Sequence, residues 1–392
     1  MALLLTVPSA DLPVHAYLSY LGVRFVSLSF IVFGVYFVTR FAFNIFDPIW
    51  RWAMVALIAA AYIYTYHYSA PNPGKAWFRM RLSGPILIIP FAAFWYFAAQ
   101  DQKALTRFSL AVSLSLLLYL PVLRVHFLLL PAEEFSPTYD LLPFLNIRDF
   151  GSFAMLGIAG FTGLAWQFRT RPLAVQALLL LALVISWTAL FWSGGRAPVV
   201  ALIACLVGIP ILFRGTIGAS IRGVVSAIVG LGLSTLLPPT ESSLDLVERL
   251  SNEAYYSSLS SFSSNRLDIW SAVWQKILER PLLGHGFSQM NALEGTDHFG
   301  FVASHSFILD SLLDFGIIGG IPILALVWIT FGQIVWRYRL ELPNAALPPL
   351  MMLTTLMVQR FVDGIFHQFH TLMYACLLFP LLLSASYRSE RR

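Results

Sequence analysis

The chain has 392 residues, 58% hydrophobic and only 11% charged, with a mean hydropathy of +0.74 and a formal net charge of +5. That balance excludes a soluble domain of ordinary polarity and makes the bilayer the solvent for most of the chain. It carries no basic stripe, RNP-like aromatic run or zinc spacing, so nucleic acid is not expected as a partner. The lack of a P-loop, a GxGxxG after a strand, HExxH or GxSxG leaves nucleotide-driven chemistry unsupported.

A membrane-crossing helix needs ~20 mostly apolar residues. Such segments are expected at 18–38, 49–68, 83–99, 107–130, 149–168, 173–192, 198–213, 223–238, 305–335, 347–362 and 369–386. Runs such as Leu178 to Ile185 show no polar–apolar alternation, which excludes a membrane barrel and predicts an all-α polytopic fold. Its organisation is an N-terminal bundle over 1–238, a long external loop over 239–304 and C-terminal spans over 305–392. The opening MALLLTVPSADLPVH has no basic n-region, so the first span is expected to act as the insertion signal. Cys205 and Cys376 both fall in spans and read as packing residues, with no disulfide framework or CxxC metal site.

Lys and Arg concentrate on the cytoplasmic side of short loops. Arg169 and Arg171, Arg214 and Arg222, Arg337 and Arg339, and the Arg388, Arg391, Arg392 tail are mutually consistent on that side. Alternation then puts SGGRAP at 193–198, the 239–304 loop, the 363–368 turn and the acidic PAEEFSPTYD segment at 131–140 outside. Counting back places Lys75, Arg79 and Arg81 outside too, against the rule, through either a miscounted span or a functional placement.

The long loop opens with a polar, Ser-rich stretch over 238–265 that reads as solvated surface. From Arg266 the pattern changes: Leu267, Trp270, Val273, Trp274, Ile277 and Leu278 follow helical spacing, with Ser264 or Asn265 as cap and Pro281 with Gly284 as the stop. This helix should lie along the headgroup layer or pack on the bundle, and a simple lid is the bland reading. Arg266 at its start would give an anion both a guanidinium fork and free backbone N–H groups, which suits a pyrophosphate.

His285, between Gly284 and Gly286, sits in a tight turn that could approach a ligand. His305 opens a span, where an ionisable side chain needs a partner or a purpose; a hydrogen-bonded interfacial histidine is the alternative. Gly316, Gly319 and Gly320 read as close helix packing. Arg196 in an external turn is either a ligand contact or a snorkelling anchor. Arg148 has Asp149 beside it as a local partner, and Arg360 with Asp363, near His367 and His370, is a structural pair or a cavity lining. Arg124 and His126 inside the fourth span are further cavity candidates.

His305, Ser306, nine residues, then Gly316-Ile317-Ile318-Gly319 resembles the H-[NSQ]-x9-G-x-x-[GTY] signature of the O-antigen ligase and Wzy-type polymerase superfamily. Arg266 to Trp270 (R-x-x-x-W), the PLLGHG turn, and SGGRA with Gly195 where the family has a small hydroxyl residue add to it, and the likeness covers roughly 140–385. The resemblance implies a GT-C-like, multi-pass glycosyltransferase of the bacterial inner membrane with its active site facing the periplasm. The implied donor is a glycan on undecaprenyl pyrophosphate, and the acceptor is another lipid-linked glycan or lipid A core. Neither a cofactor nor a metal is implied, since arginines replace the divalent ion. Arg266 and Arg196 would meet the leaving pyrophosphate. His305 would orient or deprotonate the acceptor hydroxyl. Trp270, Arg148, His285 and Arg360 would bind substrate. A chain-length regulator and a flippase are further implied partners.

Polymerisation of O-antigen, exopolysaccharide or capsule is the leading expectation, with ligation second and protein O-oligosaccharyl transfer third. A lipid-linked sugar transporter would also want many spans and external arginines. It would, however, be expected to show internal repeats and broken helices at mid-bilayer. No such repeat is evident between the two halves.

Overall fold

The computed structural model describes residues 103–129, 147–237, 266–286, 289–296, 304–361, 374–375, 377–383 and 385. The first three expected spans, the 131–140 loop, the 238–265 stretch with Ser264 and Asn265, and Asp363, His367 and His370 lie outside those residues, as do the side chains of Arg124, His126 and Arg148. Among the described residues the chain forms helices and turns with no strand, as the all-α polytopic expectation has it.

The elements in chain order are α1 (Ala104–Leu129), α2 (Ile147–Gln167), α3 (Leu173–Trp192), α4 (Arg196–Leu212), α5 (Ile217–Ser234), α6 (Arg266–Glu279), α7 (Phe307–Leu340) and α8 (Leu347–Gln359). Four of them, α1, α3, α5 and α7, hold stretches long and apolar enough to cross a membrane, and α4 is a shorter apolar helix. Their outward faces are greasy: Leu178, Leu181 and Ile185 on α3, Val200, Ile203, Val207 and Ile211 on α4, and Ile221, Val225 and Ile228 on α5 are all exposed. In water such a surface would drive aggregation; facing lipid tails it costs nothing.

The bundle is built around α2, which packs against α1, α3, α4, α5 and α8 and is buried at every residue from Phe150 to Ala165. Small residues let its neighbours come close: an added Cβ at Gly157 would lie 2.6 Å from a Leu116 methyl, and one at Gly163 would lie 2.7 Å from Pro348 N.

Two boundaries differ from expectation for physical reasons. Helix α5 starts at Ile217 rather than 223, so Arg222 lies within the helix. Its Nη1 donates to the Ala165 carbonyl near the end of α2, which holds the side chain against the bundle. Helix α7 runs as one 34-residue element but breaks at Gly316, where φ is 62° and ψ −167°. The glycines expected there as packing contacts include the residue that breaks the span.

Candidate active site

Helix α6 docks on the first part of α7 through its own small core, separate from that of the bundle. Ile269, Val273 and Ile277, spaced four residues apart, are buried with Met290, Leu293 and Leu313, and Trp270 packs at the edge. The expected stripe mixed two faces. Trp270, Val273 and Ile277 turn inward, while Leu267, Trp274 and Leu278 are 43%, 47% and 54% exposed. The helix therefore has one apolar face on α7 and a second facing outward, as an element at a membrane interface does.

The PLLGHG turn after α6 is woven into the break in α7. In an unbroken helix the N–H groups of Ile317 and Ile318 would bond to the carbonyls of Leu313 and Asp314. Here they donate instead to Pro281 O (2.8 Å) and Leu282 O (3.1 Å). The two vacated carbonyls accept from His285 N (2.7 Å) and Gly286 N (3.0 Å). Four hydrogen bonds thus splice the loop into the helix and satisfy the two donors and two acceptors freed there. The approach is backbone on backbone: a Cβ on Gly284 would lie 2.6 Å from Gly316 N. Both glycines have positive φ, and the Gly316 pair of angles is one that side chains essentially forbid.

His285 completes this junction. Its ring is buried, and Nε2, the nitrogen placed to donate, lies 2.7 Å from the Lys276 carbonyl among the last carbonyls of α6. Burial holds its proton affinity below the ordinary imidazole value, with the Lys276 carbonyl contact opposing. The side chain acts on the junction between α6 and α7.

His305 is the one non-glycine with positive φ among the described residues, at 59°. Both neighbours are clamped. The Ser304 N–H donates to Asp310 Oδ1 (2.7 Å), and the Ser304 carbonyl accepts from the Trp270 indole N–H (2.9 Å). Ser306 N–H donates to Ser304 Oγ (3.2 Å), and the Ser306 carbonyl accepts from Asp310 N (2.8 Å). Ser306 is also the N-cap of α7, its Oγ accepting from Leu309 N. Strained backbone of this sort costs on the order of 1–3 kcal/mol and persists only where the surroundings over-determine it. Here they do, and the group so held is an imidazole that is partly buried, with Nε2 closed off from the surface.

The remaining candidates gather at the same end of the bundle. Phe307 N–H donates to the Arg360 carbonyl (3.2 Å), and Arg360, 1% exposed, follows Gln359, whose Nε2 donates to Ser152 Oγ on α2 (2.7 Å). One residue earlier, a Cβ on Gly151 would lie 3.9 Å from Gly195 Cα and 3.4 Å from Pro198, in the turn that leads into α4. Arg196 is the first residue of α4, with Gly195 as its N-cap. Arg148 sits in the first turn of α2. A continuous chain of contacts therefore joins the Arg196 turn, the start of α2, Arg360, His305, Trp270 and the helix begun by Arg266.

Several residues of this end went unnoticed in the sequence. Asp310 and Asp314, each 2% exposed, stand four residues apart on the first part of α7, and Ser304 and Gln359 make its key hydrogen bonds. The signal was there: two carboxylates inside an apolar span are expensive unless used. Among the described residues no group of three His, Cys, Asp or Glu side chains is placed to hold a metal ion.

Residues 181–324 match the family model described as O-antigen ligase. The matched stretch runs from within α3 to within α7 and contains Arg196, Arg266, Trp270, His285, His305 and Gly316, while Arg148 and Arg360 fall outside it. No curated protein matches the chain. That match, over residues 181–324 of a helical fold, supports a likeness to the O-antigen ligase and Wzy-type polymerase superfamily.

Proposed function

We propose that the protein is a membrane glycosyltransferase that moves a glycan from undecaprenyl pyrophosphate to an acceptor hydroxyl at the periplasmic face of the bacterial inner membrane. In the leading form of this reading it joins repeat units of an O-antigen or exopolysaccharide. The observation that carries it is the hold on His305, a strained histidine clamped on both sides at the head of a broken span and tied through Trp270 to the helix that begins with Arg266. A fold has no reason to bear that strain for packing alone.

In this mechanism the acceptor oxygen attacks the anomeric carbon while the bond from that carbon to the pyrophosphate oxygen breaks. The lipid pyrophosphate leaves with the bonding electron pair, and the acceptor proton passes to the His305 imidazole. Arg266 and Arg196 meet the charge that grows on the leaving group, each as a fixed fork of donors, in place of a divalent ion. Trp270, Arg148 and Arg360 line the donor and acceptor paths, and His285 holds α6 in place.

A profile of surface glycans and undecaprenyl-linked intermediates in cells lacking the gene tests this. Single repeats without long chains support the polymerase. Long chains stranded on undecaprenyl pyrophosphate support a ligase that uses lipid A core, a second reading favoured by the description of the matched family. Repeats trapped on the cytoplasmic face would point to a transporter, and an unchanged profile would refute both transfer readings.

A further inference from the structure

At the end of the bundle away from His305, two arginines share one indole. The guanidinium carbon of Arg169 lies 4.2 Å from the Trp166 ring centre, and that of Arg222 lies 5.9 Å from it. Both are fixed from the protein side. Arg169 Nη1 donates to Trp166 O (3.0 Å) and Asn344 Oδ1 (3.3 Å), and Arg222 Nη1 donates to Ala165 O. Trp166 itself is seated on Gly218 of α5, where a side chain would collide with the ring.

The oxygens that these guanidiniums meet among the described residues are all neutral. Each spends only one of its nitrogens on them, while a guanidinium offers five N–H donors. Arg171, over the Phe168 ring at 5.9 Å, adds a third cation at this end of α2. Beside Arg222 the surface turns apolar: Ile221, Val225 and Ile228 of α5 are 56%, 55% and 67% exposed along the line a hydrocarbon chain would follow. A ligand matching both parts has an anionic head with oxygens for two planar forks and an acyl tail.

We propose that Arg169 and Arg222, stacked about Trp166, form a site for the phosphate of an anionic glycerophospholipid whose tail lies on α5. Such recognition differs from the general attraction of basic loops to a charged leaflet because it depends on two oriented forks, which lysine cannot supply.

The full-length protein is placed in nanodiscs of phosphatidylcholine alone or with phosphatidylglycerol, and lipid retention by native mass spectrometry is read beside the unfolding midpoint. Phosphatidylglycerol should be retained and should raise the midpoint. The Arg169→Gln/Arg222→Gln chain should lose that midpoint rise and retain phosphatidylglycerol on the order of tenfold less. Arg214→Gln/Arg339→Gln, which removes the same charge at exposed positions outside the site, should keep most of both. The Arg169→Lys/Arg222→Lys chain keeps charge and fold, so its loss of the preference would isolate the forks even if the glutamine pair fails to fold. Equal loss in both glutamine pairs, or full retention by the lysine pair, overturns the site. Inorganic phosphate in detergent is the last arm, and a midpoint rise there equal to that with phosphatidylglycerol would make it a free-phosphate site and overturn the lipid.

Discussion

Gly316→Ala tests whether the splice between loop and span holds the candidate site together. A Cβ there would lie 2.5 Å from Leu283 N and closer still to the Leu282 carbonyl, and backbone atoms cannot rotate aside. The φ of 62° with ψ −167° adds roughly 1–3 kcal/mol of strain for any side chain. The chain can escape by straightening α7, which restores two helical bonds, from Ile317 N to Leu313 O and from Ile318 N to Asp314 O. It then loses all four cross-links to the 281–286 turn. At about 0.5–1.5 kcal/mol per net hydrogen bond, the two bonds not recovered cost about 1–3 kcal/mol in the straightened form. The strain, of similar size, and the backbone clash are present only in the bent form, so the balance tips toward a straight α7 and a detached α6, which one small core holds. The span keeps its apolar length, so the variant should still insert and accumulate. Hydrogen exchange should show His285 and Gly286 amides losing protection while Ile317 and Ile318 keep theirs within the straightened helix, and glycan product should fall by on the order of a hundredfold. Gly332→Ala, in the same helix with open space where its Cβ would go, is the control and should be neutral. Unchanged protection at His285 and Gly286 together with normal product would refute the reasoning.

Other expectations follow from the same geometry. His305→Gly should abolish product while leaving the unfolding midpoint equal or higher, because glycine relieves the φ of 59°; retained product would remove the histidine from the mechanism. Arg266→Ala and Arg196→Ala should also remove product in chains that accumulate normally, and near-normal glycan from both would sink the pyrophosphate assignment. Trp270→Phe deletes one hydrogen bond to Ser304 at a cost of about 1 kcal/mol; it should reduce product without abolishing it, and a null effect would mean that the indole does not hold the His305 clasp. His285, whose proton affinity is lowered by burial, stabilises the docked α6 fully above the ordinary imidazole value of 6.5 and loses that contribution as pH falls below it, because the undocked form then binds the extra proton. Protection of the α6 amides should fall from pH 7 to pH 5 in the native chain and stay flat in His285→Gln. EDTA should leave transfer intact, and activity lost to chelation and restored by a single metal would contradict the arginine mechanism.

The apolar helices were legible because length and composition alone set them: α3 was placed to the residue, and α1, α2, α4 and α8 to within a few. Among the described residues, however, only α1, α3, α5 and α7 hold stretches long and apolar enough to cross a membrane. The His305-to-Gly319 spacing also pointed to the right stretch of chain. What spacing could not convey was partnership across space. Helix α6 carries apolar residues around most of its circumference, so its periodicity fits two stripes, and only the shape of α7 selects the one with Ile269. Gly316 reads the same whether it packs or breaks a helix; the difference lies in the 281–286 turn, which supplies replacement hydrogen bonds from some thirty residues away in the chain. Arg222 looked like a loop residue because its partner, the Ala165 carbonyl, is invisible in its own neighbourhood.

The buried position of α2 bears on how the protein is made. A helix enclosed by α1, α3, α4, α5 and α8 meets lipid nowhere between Phe150 and Ala165 in the finished molecule, and it is not among the stretches apolar enough to count as a span by hydropathy. Its glycines and polar residues suit neighbours, not hydrocarbon, so during synthesis it is the segment least able to wait alone in the bilayer. Of its two principal partners from the flanking chain, α1 precedes it and α3 follows at once, while α8 is translated last and seals the remaining side. Truncation before residue 347 would therefore strip the central helix of its cover and expose to quality-control proteases a surface that is buried in the finished bundle.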